Sequence, residues 1–198
     1  MDLQIVTPHD GRTITAELVR NNMRVSNQTE DTLIEGYIDA AEGWISAEYN
    51  RPLLPVSYRL TYDQVYPKFA LPRPPFRSFT SLVYQVENSD AVTVDTTGME
   101  PRYQQMLPEF EIAALEDEPV HAGTMTIEWE AGYENAAAVP APVKQAVLLL
   151  ASHWFTHRGA SHMDQRLMDI PKTIPFGVRD LLRSWRVPNV GDEQTGRY

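Results

Sequence analysis

No cysteine occurs in the 198 residues, which excludes disulfides, zinc–thiolate sites and thiol nucleophiles. Stability must come from packing or assembly, and the absence is compatible with a reducing compartment. Long apolar runs are missing too. The longest, Ala146 to Ala151, is far too short to span a bilayer, and the start Met1–Ile5 lacks the basic and then apolar pattern of a signal peptide. The expectation is a soluble, non-exported protein without membrane contact. Positive charge is scarce: 17 Lys and Arg stand against 27 Asp and Glu, a net charge of -10, which argues against sequence-driven binding of nucleic acid. A phosphate-cradling glycine loop, a nucleophile elbow and a dinucleotide fingerprint are also lacking.

What is present is ordinary for a globular chain, 42% hydrophobic and 22% charged, with enough length for one domain or one domain carrying an insertion. The 15 prolines predict many short elements joined by stiff connections. Charge is unevenly spread: residues 1–139 carry net -13, residues 140–187 net +4 and residues 188–198 net -1. An acidic body with a basic C-terminal segment suits docking by that segment on an acidic partner or on copies of the same chain.

Periodicity predicts the elements. A short helix over about 13–24 is capped by Thr13 or Thr15. A longer one over 31–50 has Leu33, Ile34, Tyr37, Ile38, Ala41, Trp44, Ile45 and Tyr49 at helical spacing, with Asp31, Glu35, Asp39, Glu42 and Glu48 largely opposite. Between about 54 and 132 the period changes. Short runs around 56–62, 69–71, 81–86, 91–94, 109–114 and 124–130, rich in β-branched and aromatic residues, read as strands of a small antiparallel sheet. The last alternates cleanly, with Met125, Ile127 and Trp129 on one face. Helical spacing returns over 141–158, opened by Pro140 and Pro142 and stopped at Gly159, and again over 176–186. From Val187 onward no period remains, so the end of the chain reads as mobile by itself. The fold class is therefore α+β: a small helical bundle core with an inserted antiparallel β region and an extended C-terminal helix and tail. The expected division is one domain over 1–187 and a flexible tail over 188–198.

Enzymatic and metal readings find little support. His153 and His157 stand four apart on one helix, a zinc-compatible spacing, with His162 nearby, but Trp154 occupies the position where a zinc protease needs its glutamate base. Partly exposed helix histidines are the simpler reading. The run Glu116–Glu118 reads as a solvated loop rather than half of a glycosidase pair. No catalytic residue, metal or cofactor is predicted.

Several collinear segments carry a family resemblance. Ala16–Val25 looks like an opening helix leading to a "lrv" step, and Asp31–Leu54 looks like a second helix with a "gRpL" exit. Leu71–Tyr84 matches an "LPrpPv.sv.si.Y" pattern, Val139–Arg158 a "vP..ikqAillLvahwy.nRe" helix, and Ile174–Arg186 an "iP.gv..LL..yR" ending. Each is weak alone; their shared order over residues 14–187 resembles the head–tail connector (adaptor) family of long-tailed phages and phage-like gene transfer agents. Gly159 departs from the pattern, where an acidic residue often closes the helix.

The resemblance implies a structural, non-enzymatic virion subunit at the head–tail junction, assembled in the bacterial cytoplasm. It implies a ring, dodecameric in the particle, between the portal and a stopper or tail-terminator protein, through which DNA passes without sequence-specific binding during genome ejection. The C-terminal segment of such proteins reaches the portal. Here Arg179, Leu182, Arg183, Trp185 and Arg186 are the expected portal-interface residues, since Arg and Trp are frequent energetic anchors. The alternative is an amphipathic helix that closes its own core. Arg73, Phe76, Arg77 and Phe79, in a proline-rich stretch unsuited to a central strand, are the expected subunit-interface residues; the alternative is an edge segment packed on its own core. Alone, the protein is expected to be a monomer or loose oligomer.

Two other functions compete: a DNA-binding packaging accessory protein, and a tail-completion or stopper subunit. The charge balance separates the first. The protein should pass through a duplex-DNA column without salt-dependent retention, and retention that falls steeply with salt would favour the accessory reading.

Overall fold

The computed structural model describes residues 1–104, 106–115, 121–157 and 176–187. The predicted helix stop at Gly159, the polar stretch to Thr173 with Pro171 and Pro175, His162, the Glu116–Glu118 run and the tail 188–198 lie outside the described residues. The fold is α+β, and the described residues divide into a β unit within 1–10, 50–134 and 187 and a helical unit within 11–49 and 135–186.

In the helical unit, α1 (Ala16–Met23) starts later than predicted. Of the two candidate caps, Thr15 takes the role: its hydroxyl oxygen accepts the Leu18 N–H at 3.2 Å. Thr13 is instead tied to α2 (Asp31–Tyr49), where the buried Glu42 carboxylate accepts both the Thr13 N–H, at 2.6 Å, and its hydroxyl. Arg12 adds a bidentate pair to Asp39 at 2.6 and 2.8 Å, with Glu35 3.4 Å away, which pins the segment before α1 to α2. The predicted stripe of α2 is the buried one at Ile34, Ile38, Ala41, Ile45 and Tyr49, while Leu33 stays exposed. α3 (Ala141–Thr156) buries Val143, Ala146, Val147, Leu150, Ala151 and Phe155, and its end meets α2 where Phe155 sits edge-on to Tyr37.

In the β unit, β1 (Asp2–Thr7), β2 (Val56–Val65), β8 (His121–Ala131), β4 (Phe76–Val86) and β5 (Val92–Thr93) form a five-stranded sheet in the order β1-β2-β8-β4-β5. The strands β3 (Lys68–Ala70), β7 (Leu107–Glu111) and β6 (Arg102–Gln104) form a second sheet in the order β3-β7-β6. Every pairing is antiparallel. Met125, Ile127 and Trp129 share one face as predicted and are fully buried, with Tyr58 stacked on Trp129 at 5.5 Å.

The β unit differs from expectation in several respects, among them two sheets in place of one and the three-residue β6. β1 was not foreseen, because Asp2–Ile5 alternates over only four residues and the strand lies at an edge, nearly all exposed. The prolines of Leu71–Phe79 argue against a central strand there; β4 begins inside the stretch at Phe76, but Phe76–Phe79 pairs with β8 alone and β5 joins β4 only at Val83 and Tyr84, so the stretch stays at an edge. Pro72, Pro74 and Pro75 all precede Phe76, so the N–H groups that β4 needs are intact.

Gly132 ends β8 with φ +113, and a Cβ there would press on the Leu54 carbonyl, 2.7 Å from its carbon. Its own N–H donates to the Pro75 carbonyl at 2.9 Å. Gly132→Ala should therefore cost about 3 kcal/mol, from the strained backbone and the clash together. Denaturant unfolding measures this, and a loss below about 0.5 kcal/mol, the level of an ordinary surface change, would contradict the assignment.

Candidate functional site

The C-terminal end of the helical unit presents Arg179, Arg183 and Arg186 to solvent. α4 (Phe176–Leu182) continues into a 3-10 turn over Arg183–Trp185 rather than running as one helix to Arg186. Trp185 follows Val178 by seven residues and Leu182 by three, so it lies on the same, buried side. Val178 and Leu182 are wholly buried, and the Trp185 ring lies 6.1 Å from that of Tyr49 at the end of α2. Of the predicted interface residues, Leu182 and Trp185 are thus spent on the core of their own unit, the alternative weighed from the sequence. Arg179, Arg183 and Arg186 are exposed.

The electrostatics of this end are legible at Tyr49. Burial raises its phenol above the ordinary value and Glu48 adds to the rise, while Arg179 and Arg186 oppose it. Arg186 reaches to 3.8 Å from Glu48, with both side chains largely in solvent, so this pair contributes little stability. The arrangement is a cationic surface mounted on an apolar anchor. It can dock on carboxylates, with the bidentate geometry of guanidinium setting orientation.

The predicted subunit-interface residues are placed differently. Phe76 and Phe79 are partly buried and stand 4.8 Å apart, and each ring lies within 4.8 Å of Phe110 in the β-unit core. Arg77 faces outward, 3.3 Å from Glu130. Arg73 has φ 65 and lies close enough to Tyr58 to oppose the rise that burial imposes on that phenol. The aromatic pair therefore follows the reading of a segment packed on its own core.

Sequence reasoning missed Val187, which it assigned to the aperiodic end of the chain. Val187 is buried against Leu107, and its carbonyl accepts the Asn50 side-chain N–H at 3.4 Å, so the chain is anchored in the β unit immediately after Arg186. A lone valine carries no periodic signal that could have revealed this.

Among the described residues no group of three or more His, Asp or Glu side chains could hold a metal, and no helix is long and apolar enough to cross a membrane. The His153 and His157 rings lie 4.3 Å apart, and the Nδ1 of His157 is 2.8 Å from the His153 carbonyl.

With this geometry in view, three comparisons bear on the chain. The family model described as phage gp6-like head-tail connector protein matches residues 115–186. No curated protein matches the chain. Among solved structures, a chain in the virion of a native gene transfer agent particle superimposes with a TM-score of 0.71 at 24% identity, covering 96% of this chain and 97% of that one. Chains from the neck of an empty particle computed with C6 symmetry and of a native particle computed with C12 symmetry give TM-scores of 0.69 and 0.62 at 23% and 22% identity, with the same coverage. At such identities the likeness establishes a shared fold. The resemblance to head–tail connectors read from collinear sequence segments is thus met by a family model over the stretch that carries α3 and α4, and by the fold over nearly the whole chain.

The histidine pair generates a pH dependence. Burial holds His153 below its ordinary value of 6.5, and the neighbouring His157 adds like-charge repulsion. The folded state therefore takes up a proton here less readily than the unfolded chain. The contribution of this group is present above about 6.5 and is lost as pH falls through that value toward the lower folded one. The urea midpoint should drop between about pH 7.5 and about pH 5.5 by less in His153→Gln than in the parent, and equal drops would contradict it.

Proposed function

We propose that the chain is a structural, non-enzymatic head–tail connector subunit, one copy in a ring that stands between a portal and a stopper or tail-terminator protein at the head–tail junction. A dodecamer fits the C12 symmetry of the neck in which a chain of like fold was solved. The carrying observation is the full-length likeness to chains of particle necks, combined with the connector family match over the segment that bears α4. DNA passes through the channel without specific binding, in keeping with the net -13 of residues 1–139, which disfavours adhesion of phosphates. Assembly takes place in the bacterial cytoplasm, as the lack of cysteines allows. Residues 1–187 act as one connector domain.

In this reading the portal contact is made by Arg179, Arg183 and Arg186, while Leu182 and Trp185 hold their platform from inside. Fixing the arginines on a packed element lowers the entropy lost on docking. Arg73 and Arg77 supply polar contacts to a neighbouring copy, with Phe76 and Phe79 bracing that flank from the core. The isolated chain is a monomer or loose oligomer, and avidity within the ring completes the assembly.

The test is binding of purified cognate portal rings. The triple variant Arg179→Glu, Arg183→Glu, Arg186→Glu should keep its circular dichroism and thermal midpoint yet lose at least about tenfold in portal affinity, a modest share of what charged hot spots contribute. Unchanged affinity in the folded triple variant would remove α4 from the interface. Binding of the parent to a tail tube instead of the portal would favour a stopper role.

A further inference from the structure

In the β unit, the large apolar side chains that remain exposed among the described residues sit at sheet edges. Met1, Ile5 and Val6 lie on or beside β1, Val92 lies on β5, and Tyr103 and Met106 lie on β6 and its turn into β7. β1 and β5 are the two ends of one five-stranded sheet. Free edges of natural sheets are usually blunted by lysine or other charge. β1, from Asp2 to Thr7, carries a single charged side chain, Asp2 at its start, and no strand other than β2 pairs with it among the described residues. Its pairing is regular from Asp2 to Ile5 and shifts by a bulge before Thr7.

The two edges match in a second respect. Ile5 pairs with Tyr58 and Leu3 with Leu60, so Ile5 lies on the core face of the sheet, yet it is 64% exposed. At the far edge Val92 pairs with Tyr84, again on the core face, and is 43% exposed. At each end the core layer runs out with a β-branched residue uncovered.

We infer that β1 of one copy adds to the β5 edge of the next, continuing the sheet from copy to copy and bringing Ile5 and Val92 together. This deepens the connector reading and rests on it, since it assigns the lateral contact of the ring. Strand direction gives the geometry. Four successive antiparallel pairings separate β1 from β5, so the two run the same way. In a rotational ring built on a continuing sheet, the new pair is therefore parallel and joins two different surfaces, the heterologous contact that a closed ring requires. Pairing of β1 with a second β1 about a twofold would instead be antiparallel and would stop at a dimer. Because β5 spans only Val92–Thr93, the ladder is short. It falls well below a stable free interface, so it forms where another contact already concentrates the copies. The flank with Arg77 belongs to β4, the neighbour of β5, and extends the same contact.

The lack of native cysteines makes the test direct. The variants Ile5→Cys, Val92→Cys and the Ile5→Cys/Val92→Cys double, each checked for native circular dichroism, are assembled on cognate portal rings, imaged, and treated with a short thiol-reactive crosslinker. The double variant should give a denaturing-gel ladder of trimers and larger species, and each single variant should stay monomeric. Ile5→Cys dimers would overturn the assignment in favour of β1–β1 pairing. Rings visible by electron microscopy but without a ladder would overturn it while leaving the connector reading intact. Absence of rings altogether would overturn the connector reading and this inference with it.

Discussion

The pairing of β8 with β2 on one side and β4 on the other is the constraint on which the β unit depends. The β2–β8 ladder runs from Val56 against Ala131 to Val65 against His121, so segments far apart in sequence must meet before either can bury its apolar face. Such non-local pairing charges its loop-closure entropy early and is repaid only by collective burial. The repayment is visible at the centre, where Leu60, Leu82, Met125, Ile127 and Trp129 are all fully buried. The same ladder brings the two ends of the inserted region together. Val56 and Ala131 are register partners, and Gly132, against the Leu54 carbonyl, allows the chain to turn away beside the point where it came in.

The helical unit holds charge in two ways, burying Glu42 against Thr13 and keeping the arginines of its C-terminal end at the surface. α2 is its spine: one stripe faces the core, and its acidic residues tie down the segment before α1 through Arg12 and Thr13. At the other end, Tyr49 receives Trp185, so the last turn is closed by aromatic packing. That packing spends the apolar residues of the C-terminal helix internally and leaves its guanidinium groups outside. A basic surface on a chain of net charge -10 favours approach to an acidic partner in one orientation.

Much of this was readable from residues alone. The α2 stripe and the alternation of β8 translate directly into burial, because each packs one face and leaves a clear period, whereas α3 buries Leu148 and Ser152 beside its predicted stripe and leaves Trp154 only partly covered. Elements without a one-sided environment were not readable. β1 is exposed nearly throughout, β6 is too short to show a pattern, and β4 follows prolines that mask its start. The candidate site divides along the same line. Exposure of Arg179, Arg183 and Arg186 follows from the helical period, and so does the apolar side of Val178, Leu182 and Trp185; what the period does not encode is whether that side meets its own unit or a partner. Phe76 and Phe79 looked like contact residues because nothing in the sequence announces Phe110 as their partner.

The position of the protein in the assembled particle decides its role. Electron microscopy of particles carrying this chain should place it as a closed ring at the head–tail junction, with α4 directed at the portal. Density for the chain at any other position, or at that junction as separate copies without lateral contact, would contradict it.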